Sequence, residues 1–178
     1  NDVRKLKAFC HANGIYGAES YIGGFSGYVL EILTIYYNGF EKVLKAACKW
    51  KDKQIIDFQG YYKNKDAIKI LNPSKINSPL IIIDPVQADR NAAAALSYNA
   101  YNKFKQLAFQ YLKKPSNNFF LRKGLDLKKL KLRKSIIIKI KPKPGKHDVV
   151  GAKLFKTFNF VKAELIRNDF KIRESGWY

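Results

Sequence analysis

The sequence predicts an α+β fold: a mainly helical first domain with a short sheet, over residues 1–114, then a partial strand–helix–strand domain over residues 115–178. Three observations carry this reading. Apolar residues recur at the helical period through four segments of the first domain. Two short β-rich runs interrupt those segments. Beyond Pro115-Ser116-Asn117-Asn118, a β-branched run and an amphipathic helix follow in a strongly basic context.

The elements follow in order. Val3, Leu6, Phe9 and Cys10 share one face over residues 3–13, a helix that Gly14 ends. Phe25, Tyr28, Val29, Ile32, Ile35 and Tyr36 repeat the period until Gly39. Phe40, Val43, Leu44, Ala47 and Trp50 form a third helix, with Glu41 early and Lys49 late as the helix dipole favours. Residues 54–58 and 79–84 read as strands, and the unbroken run Leu80-Ile81-Ile82-Ile83 is expected to be covered on both faces. The polar stretch 59–78 reads as a loop or an embellished hairpin. Asp89 is placed to cap a long helix that starts near Arg90 and carries Leu96, Tyr101, Phe104, Ala108, Tyr111 and Leu112 to the core.

The second domain opens with the basic segment 122–134. A strand (Ile136, Ile137, Ile138, Ile140), the turn Pro142-Lys143-Pro144-Gly145 and a helix near 149–168 come next. That helix is expected to bury Leu154, Phe155, Phe158, Val161 and Leu165 and to show Lys153, Lys156, Lys162 and Arg167 to water. A last strand covers Phe170–Tyr178. So few strands cannot close a sheet alone, so this domain reads as incomplete or as completed by another chain.

Composition narrows the function. The chain carries a net charge of +20, unevenly placed. Residues 1–100 hold 13 Lys/Arg against 9 Asp/Glu, and residues 101–178 hold 21 against 5. That asymmetry is the footprint of a polyanion partner: RNA, DNA or an anionic membrane surface. No apolar run is long enough to span a membrane, and no secretory signal opens the chain. A basic amphipathic helix such as 149–168 suits a membrane surface, but its apolar face is more economically buried against a strand. Cys10 and Cys48 read as small buried hydrophobes of a reducing cytoplasm. With His11 and His147 they match no metal-ligand spacing, so no metal is assigned. A chain that opens on Asn1 and contains no methionine reads as part of a longer polypeptide.

Five glycines fall within Gly14–Gly27, between two helices. Glycine at that density lets backbone approach something closely, either a neighbouring element or a ligand. Tyr16 and Ser26 lie inside the run, and Lys7 precedes Tyr16 by nine residues. No Gly-Lys-Ser/Thr follows and no strand precedes, so the run is neither a Walker loop nor a dinucleotide fingerprint. The residues alone leave a tight interhelical turn and a nucleotide-contacting surface equally open.

Three segments together carry a family resemblance. They are Lys5-Leu6-Lys7-Ala8-Phe9 with Gly14-Ile15-Tyr16-Gly17-Ala18-Glu19; Gly23-Gly24-Phe25-Ser26-Gly27-Tyr28 with Glu31-Ile32-Leu33; and Ile83-Asp84-Pro85-Val86 with Arg90-Asn91-Ala92-Ala93-Ala94-Ala95-Leu96-Ser97. In that order and spacing the chain resembles the archaeal-type (class I) CCA-adding enzymes, the tRNA nucleotidyltransferases. The resemblance covers residues 1–114 and continues more loosely into the tail. It implies a central domain that grips incoming CTP or ATP and a tail that holds the tRNA acceptor arm. It places Lys7 and Tyr16 on the triphosphate and Arg90 on the same nucleotide, helping to separate C and A from G and U. Ser26 and Asn91 follow as nucleotide contacts by position. Lys113, Lys114, Arg122, Lys123, Lys153 and Lys156 are the expected tRNA contacts.

In the family a catalytic head holds two magnesium ions on an Asp-x-Asp pair that follows Gly-Ser. This sequence contains neither motif. The expectation is therefore a body-and-tail portion that acts with a head domain or a separate head subunit, in a hetero-oligomer in the latter case, on tRNA lacking its CCA end. A non-catalytic RNA-binding module derived from this family is the alternative.

Overall fold

The computed structural model describes residues 1–62, 67–122, 124, 135–173 and 175–176. Helix α1 (Asp2–Ala12) buries Leu6, Phe9 and Cys10, the face read from the sequence. Helix α2 (Gly27–Tyr36) starts where Ser26 Oγ accepts the Val29 amide at 3.1 Å. Helix α3 (Phe40–Lys49) begins with no cap of its own. Its first amide, Phe40 N, donates instead to Asp2 Oδ2 of α1 at 3.0 Å, so a carboxylate from another helix satisfies that N-terminus.

Phe9 is the packing hub. Its ring centroid lies 5.8–6.2 Å from those of Phe40, Phe104, Tyr111, Phe119 and Phe120. Aromatic pairs at such distances add about 0.5–1.5 kcal/mol each beyond the area they bury. Phe119 and Phe120 belong to a 3₁₀ turn (Asn117–Phe120) that packs back onto α1. The chain accordingly divides into compact units Asn1–Lys123 and Gly124–Tyr178.

Strands β1 (Gln54–Asp57) and β2 (Leu80–Ile83) pair in parallel, Gln54 opposite Leu80 and Ile56 opposite Ile82. Parallel pairing needs a crossover, so residues 59–78 are not the hairpin considered from sequence. They contain a short helix, α4 (Ala67–Ile70), and a 3₁₀ turn (Pro73–Lys75). The crossover has a packing reason. Leu80 and Ile82 enter the main core. Ile81 and Ile83 face the other way and are covered by Ala67 and Leu71. Every residue of β2 is buried, as its unbroken apolar run predicts.

Helix α5 (Tyr98–Lys113) packs on α3, with Ala100, Tyr101, Phe104, Ala108 and Tyr111 buried. It starts eight residues later than the sequence reading placed it. Ser97, not Asp89, is its cap: Ser97 Oγ accepts the Ala100 amide at 3.2 Å. The stretch before it closes on β2 instead. Asp84 N donates to Arg90 O at 3.0 Å and Ala92 N to Ile82 O at 2.8 Å. Those bonds draw the carbonyls and amides a helix would need into the sheet edge.

In the second unit, helix α6 (His147–Arg167) occupies the predicted place. Its apolar residues Leu154, Phe155, Phe158, Val161 and Leu165 are half-buried rather than buried, and Lys162 is half-buried rather than exposed. The flanking strands are not formed among the described residues. Residues 135–140 are exposed and have no ladder partner there, and residues 170–173 and 175–176 pair with no strand. Without a neighbouring strand, extended backbone keeps its hydrogen bonds with water. Most of the basic segment 122–134 and residues 174, 177 and 178 of the last expected strand lie outside the described residues.

The glycine run folds as a close approach of two backbone stretches. Phe25 N donates to Ile15 O at 2.9 Å, Gly17 N to Phe25 O at 2.9 Å, and Gly24 N to Gly17 O at 2.8 Å. A Cβ on Gly24 would sit 2.4 Å from Ile15 O, which is backbone and cannot swing aside. We predict that Gly24→Ala destabilises the fold by about 2 kcal/mol or more, as overpacking against fixed atoms does. Urea unfolding followed by circular dichroism checks it.

Candidate functional site

The first turn of α2 gathers the predicted residues. Gly27 opens that turn. A Cβ there would lie 3.1 Å from Tyr16 Oη and 3.4 Å from Lys7 Nζ, so Tyr16 and Lys7 meet over a helix N-terminus that carries no side chain. Lys7 reaches this point from the flank of α1. Tyr16 reaches it through the pairing of residues 15–17 with residues 24–25. Two cationic and dipolar sources thus coincide, an ammonium and the N-terminal amides of a ten-residue helix.

Lys7 Nζ donates to Glu31 Oε1 at 2.6 Å, one turn further along α2. That hydrogen bond holds the Lys7 ammonium above its usual pKa, against some desolvation. Lys7 and Glu31 are both partly open to solvent. A bare surface pair of this kind stabilises little, and an anion can exchange for the carboxylate.

Beside Lys7 lies a cavity of about 320 Å³ lined by Lys7, Ala8, His11, Ala12, Tyr16, Phe120 and Arg122. Its walls combine cationic side chains with two aromatic rings, a mix suited to phosphate and to a flat ring. Arg122, expected among the tail contacts, therefore stands with Lys7 and Tyr16.

Arg90 belongs to a neighbouring cluster. It does not sit at a helix N-terminus, since α5 starts at Tyr98. It leaves the tight turn 84–90 at the end of β2, with its guanidinium Nη1 3.4 Å from Asp84 Oδ2. The Arg90 side chain is 57% exposed and that of Asp84 only 3%. Asp84 Oδ1 accepts from Tyr28 Oη at 2.8 Å and from Val86 N at 2.9 Å. Burial alone would push the Asp84 carboxyl up. The Val86 amide, the Tyr28 hydroxyl and the Arg90 charge outweigh it and hold the carboxyl below its usual range. Tyr28 is shifted upward by desolvation first and by its bond to Asp84 second. Because Tyr28 and Gly27 adjoin on α2, the two clusters flank one helix turn.

Ser26 and Asn91 have structural partners. Ser26 Oγ caps α2. Asn91 is buried: its Oδ1 accepts from the Ile82 and Ala93 amides, each at 2.9 Å, and its Nδ2 donates to Ser78 Oγ at 3.0 Å. It pins the turn that presents Arg90. Lys113 and Lys114 end α5 exposed, Lys153 and Lys156 are exposed on α6, and Lys123 lies outside the described residues. Sequence reasoning did not select Tyr28, Glu31, His11 or Phe120 for the site. Tyr28 and Glu31 had a readable signal, since they are polar groups three residues apart on a mostly apolar helix. His11 sits one turn after Lys7 on α1. Phe120 had none.

Among the described residues no three His, Cys, Asp or Glu side chains come together as metal ligands. Among the described residues, the side chains of the site do not fit a magnesium pair. No described helix is long and apolar enough to cross a membrane.

The class these features define is an α+β domain whose α2 N-terminus is flanked by two cation–carboxylate clusters. Residues 1–121 match the family described as tRNA nucleotidyltransferase, second domain, and the chain belongs to that family. It is 39% identical over 173 residues to the CCA-adding enzyme of Nanoarchaeum equitans, covering 97% of this chain and 42% of that protein. It is 34% identical over 185 residues to the CCA-adding enzyme of Methanosarcina acetivorans, covering 99% of this chain and 38% of that protein. With the CCA-adding enzyme of Pyrobaculum aerophilum it shares 42% identity over 120 residues, 67% of this chain and 26% of that protein. The chain thus spans about two-fifths of the length of the first two relatives. It corresponds to the body and tail region of a CCA-adding enzyme.

The lowered carboxyl of Asp84 gives a pH prediction. A depressed folded-state pKa contributes stability above the unfolded value, near 3.9, and loses it as pH falls through the folded value. Asp84→Asn is expected to cost about 1–3 kcal/mol at pH 7, the range for a disrupted buried polar group. The gap to the native chain should narrow as pH falls from the unfolded value through the lowered folded value, where native Asp84 itself protonates. Thermal melts of both chains at pH 7 and pH 3 measure it.

Proposed function

We propose that this chain holds the incoming CTP or ATP and the tRNA acceptor arm for a CCA-adding tRNA nucleotidyltransferase. A head, in the same polypeptide or as a separate subunit, carries out the magnesium-dependent transfer to the 3′ end of tRNA lacking CCA. The observation that carries this reading is the convergence of Lys7 Nζ and Tyr16 Oη over the side-chain-free turn at Gly27. The family supports it, since the matched relatives are CCA-adding enzymes.

In this reading the triphosphate replaces Glu31 as the partner of Lys7, accepts a bond from Tyr16 Oη and faces the free amides of α2. Ser26 holds that helix end in place. Arg90, presented by the Asn91-pinned turn, reaches the base. A guanidinium only donates, which suits the unprotonated ring nitrogens of cytosine and adenine and opposes the ring N–H of uracil and guanine. Arg122 extends the cationic wall beside Lys7, and the His11 ring lines the same cavity. Lys113, Lys114, Lys153, Lys156 and Lys123 serve as contacts for tRNA phosphates, which give affinity without sequence information and suit an enzyme that accepts every tRNA.

Nucleotide incorporation into CCA-trimmed tRNA, with magnesium, CTP and ATP, tests the reading. The chain alone should be inactive and should become active with a separately produced head domain from a relative. Inactivity of the mixture with salt-sensitive tRNA binding intact would favour a non-catalytic RNA-binding module instead.

Gly27→Ala separates folding from binding. Alanine is a better helix former than glycine by about 1 kcal/mol, and the atoms it meets are the far ends of flexible side chains. We expect a folded variant whose CTP affinity falls about tenfold or more, because the methyl group occupies the phosphate path. Calorimetric titration alongside a thermal melt reads both effects.

A further inference from the structure

We infer that Asp84 and Tyr28 are a positioning pair that fixes the plane of the Arg90 guanidinium and so sets base selectivity. The inference rests on the reading of Arg90 as the base contact. It concerns what makes that contact selective.

A donor fork alone does not explain selectivity. Uracil carries two carbonyl oxygens and guanine one, and a freely rotating guanidinium would find them. Rejection requires donors fixed in space, so that the wrong base meets an N–H where an acceptor is needed. Arg90 has an exposed side chain, yet its root and one edge are tethered. Its backbone is held by Arg90 N to Gln87 O and by Asp84 N to Arg90 O, each at 3.0 Å. Its Nη1 faces the buried Asp84 carboxylate.

That carboxylate is itself oriented from two elements. Val86 N and Tyr28 Oη both donate to Oδ1, the Gln87 amide also bonds the carboxylate, and Oδ2 faces the guanidinium. With Oδ1 occupied, Asp84 engages Arg90 through one oxygen, and the remaining N–H donors of the fork stay available. If Tyr28 lost its hydroxyl, the carboxylate could turn and chelate Arg90 with both oxygens, taking the fork away from a base. Tyr28 also places this cluster one residue from the Gly27 turn, which ties the base contact to the phosphate contact.

The test titrates the full chain with CTP, UTP and inorganic triphosphate as a base-free probe. The native chain is compared with Tyr28→Phe, Asp84→Asn and Arg90→Ala. We expect the native chain to prefer CTP to UTP and Arg90→Ala to abolish the preference. Tyr28→Phe and Asp84→Asn should cut the preference about tenfold, the scale of one strong bond, with triphosphate affinity unchanged. The Arg90 Nε–Hε NMR signal should shift and broaden in both variants, a signature that a mere loss of stability does not give. Tyr28→Phe keeps the test informative if Asp84→Asn folds poorly. Loss of selectivity in Arg90→Ala alone, with both other variants as selective as the native chain, overturns the positioning role. A native chain without CTP preference, or an Arg90→Ala variant that keeps it, overturns the underlying reading of Arg90 and this inference with it.

Discussion

Two stretches of backbone, residues 15–17 and 24–25, hydrogen-bond to each other inside the glycine run. The contact tolerates no side chain at Gly24. Much of the site's geometry descends from it. It turns the chain from the end of α1 to the start of α2 and delivers Tyr16 to the same point in space as Lys7. The run is also tied to a distant element. Ser97 donates to Gly23 O through both its amide and its hydroxyl, at 2.8 and 2.9 Å. The residue that caps α5 therefore also anchors the glycine run, and the position of the run is set by the helix that carries Phe104 and Tyr111 into the core.

The two carboxylates near α2 act differently because they differ in exposure. Glu31 pairs with Lys7 in partial contact with solvent, where an ion pair is weak and exchangeable. Asp84 is buried and bonded from three directions. Removing a partner from such a group leaves a charge without compensation, which costs far more than an exposed pair contributes. One carboxylate therefore suits a placeholder for an incoming anion, and the other suits a fixed part of the frame. The contrast rests on depth in the fold, since Asp and Glu are chemically alike.

Legibility in the sequence followed the range of the interactions. Helices α1 and α3 were readable from spacing because their apolar faces repeat locally. Helix α2 was readable in extent but not in face: Tyr28, Ile35 and Tyr36 of the expected face are exposed, and Leu30 and Leu33 are buried instead. Strand β2 was readable because an unbroken apolar run has few other uses. The start of α5 was not readable. Ala92 to Ala95 favour helix by propensity, but the Asn91 side chain takes the Ile82 and Ala93 amides and draws the segment onto the strand. That competition depends on where β2 lies, which no local rule supplies. The parallel pairing of β1 and β2 was hidden for the same reason, since its evidence is the burial of alternate residues in two different clusters. For the site, Lys7 and Tyr16 were suggested by residue type and by resemblance, whereas the Tyr28–Asp84 bond joins residues 56 apart and exists only in the fold.

The charge asymmetry takes on a physical sense beside these clusters. Two cations of the site are matched, Lys7 by Glu31 and Arg90 by Asp84. Matched cations hold orientation, because each partner restricts where the charge points, and orientation is what recognition of a single small ligand requires. The last 78 residues carry 21 Lys/Arg against 5 Asp/Glu, an excess of cations that the acids of that stretch do not balance. Such an excess gives field strength rather than geometry, which suits a long polyphosphate partner whose sequence is not read. On the proposed reading, one chain thus uses positive charge in two ways. A few cations are aimed by carboxylates at one nucleotide, and a large excess supplies a field for the backbone of an RNA.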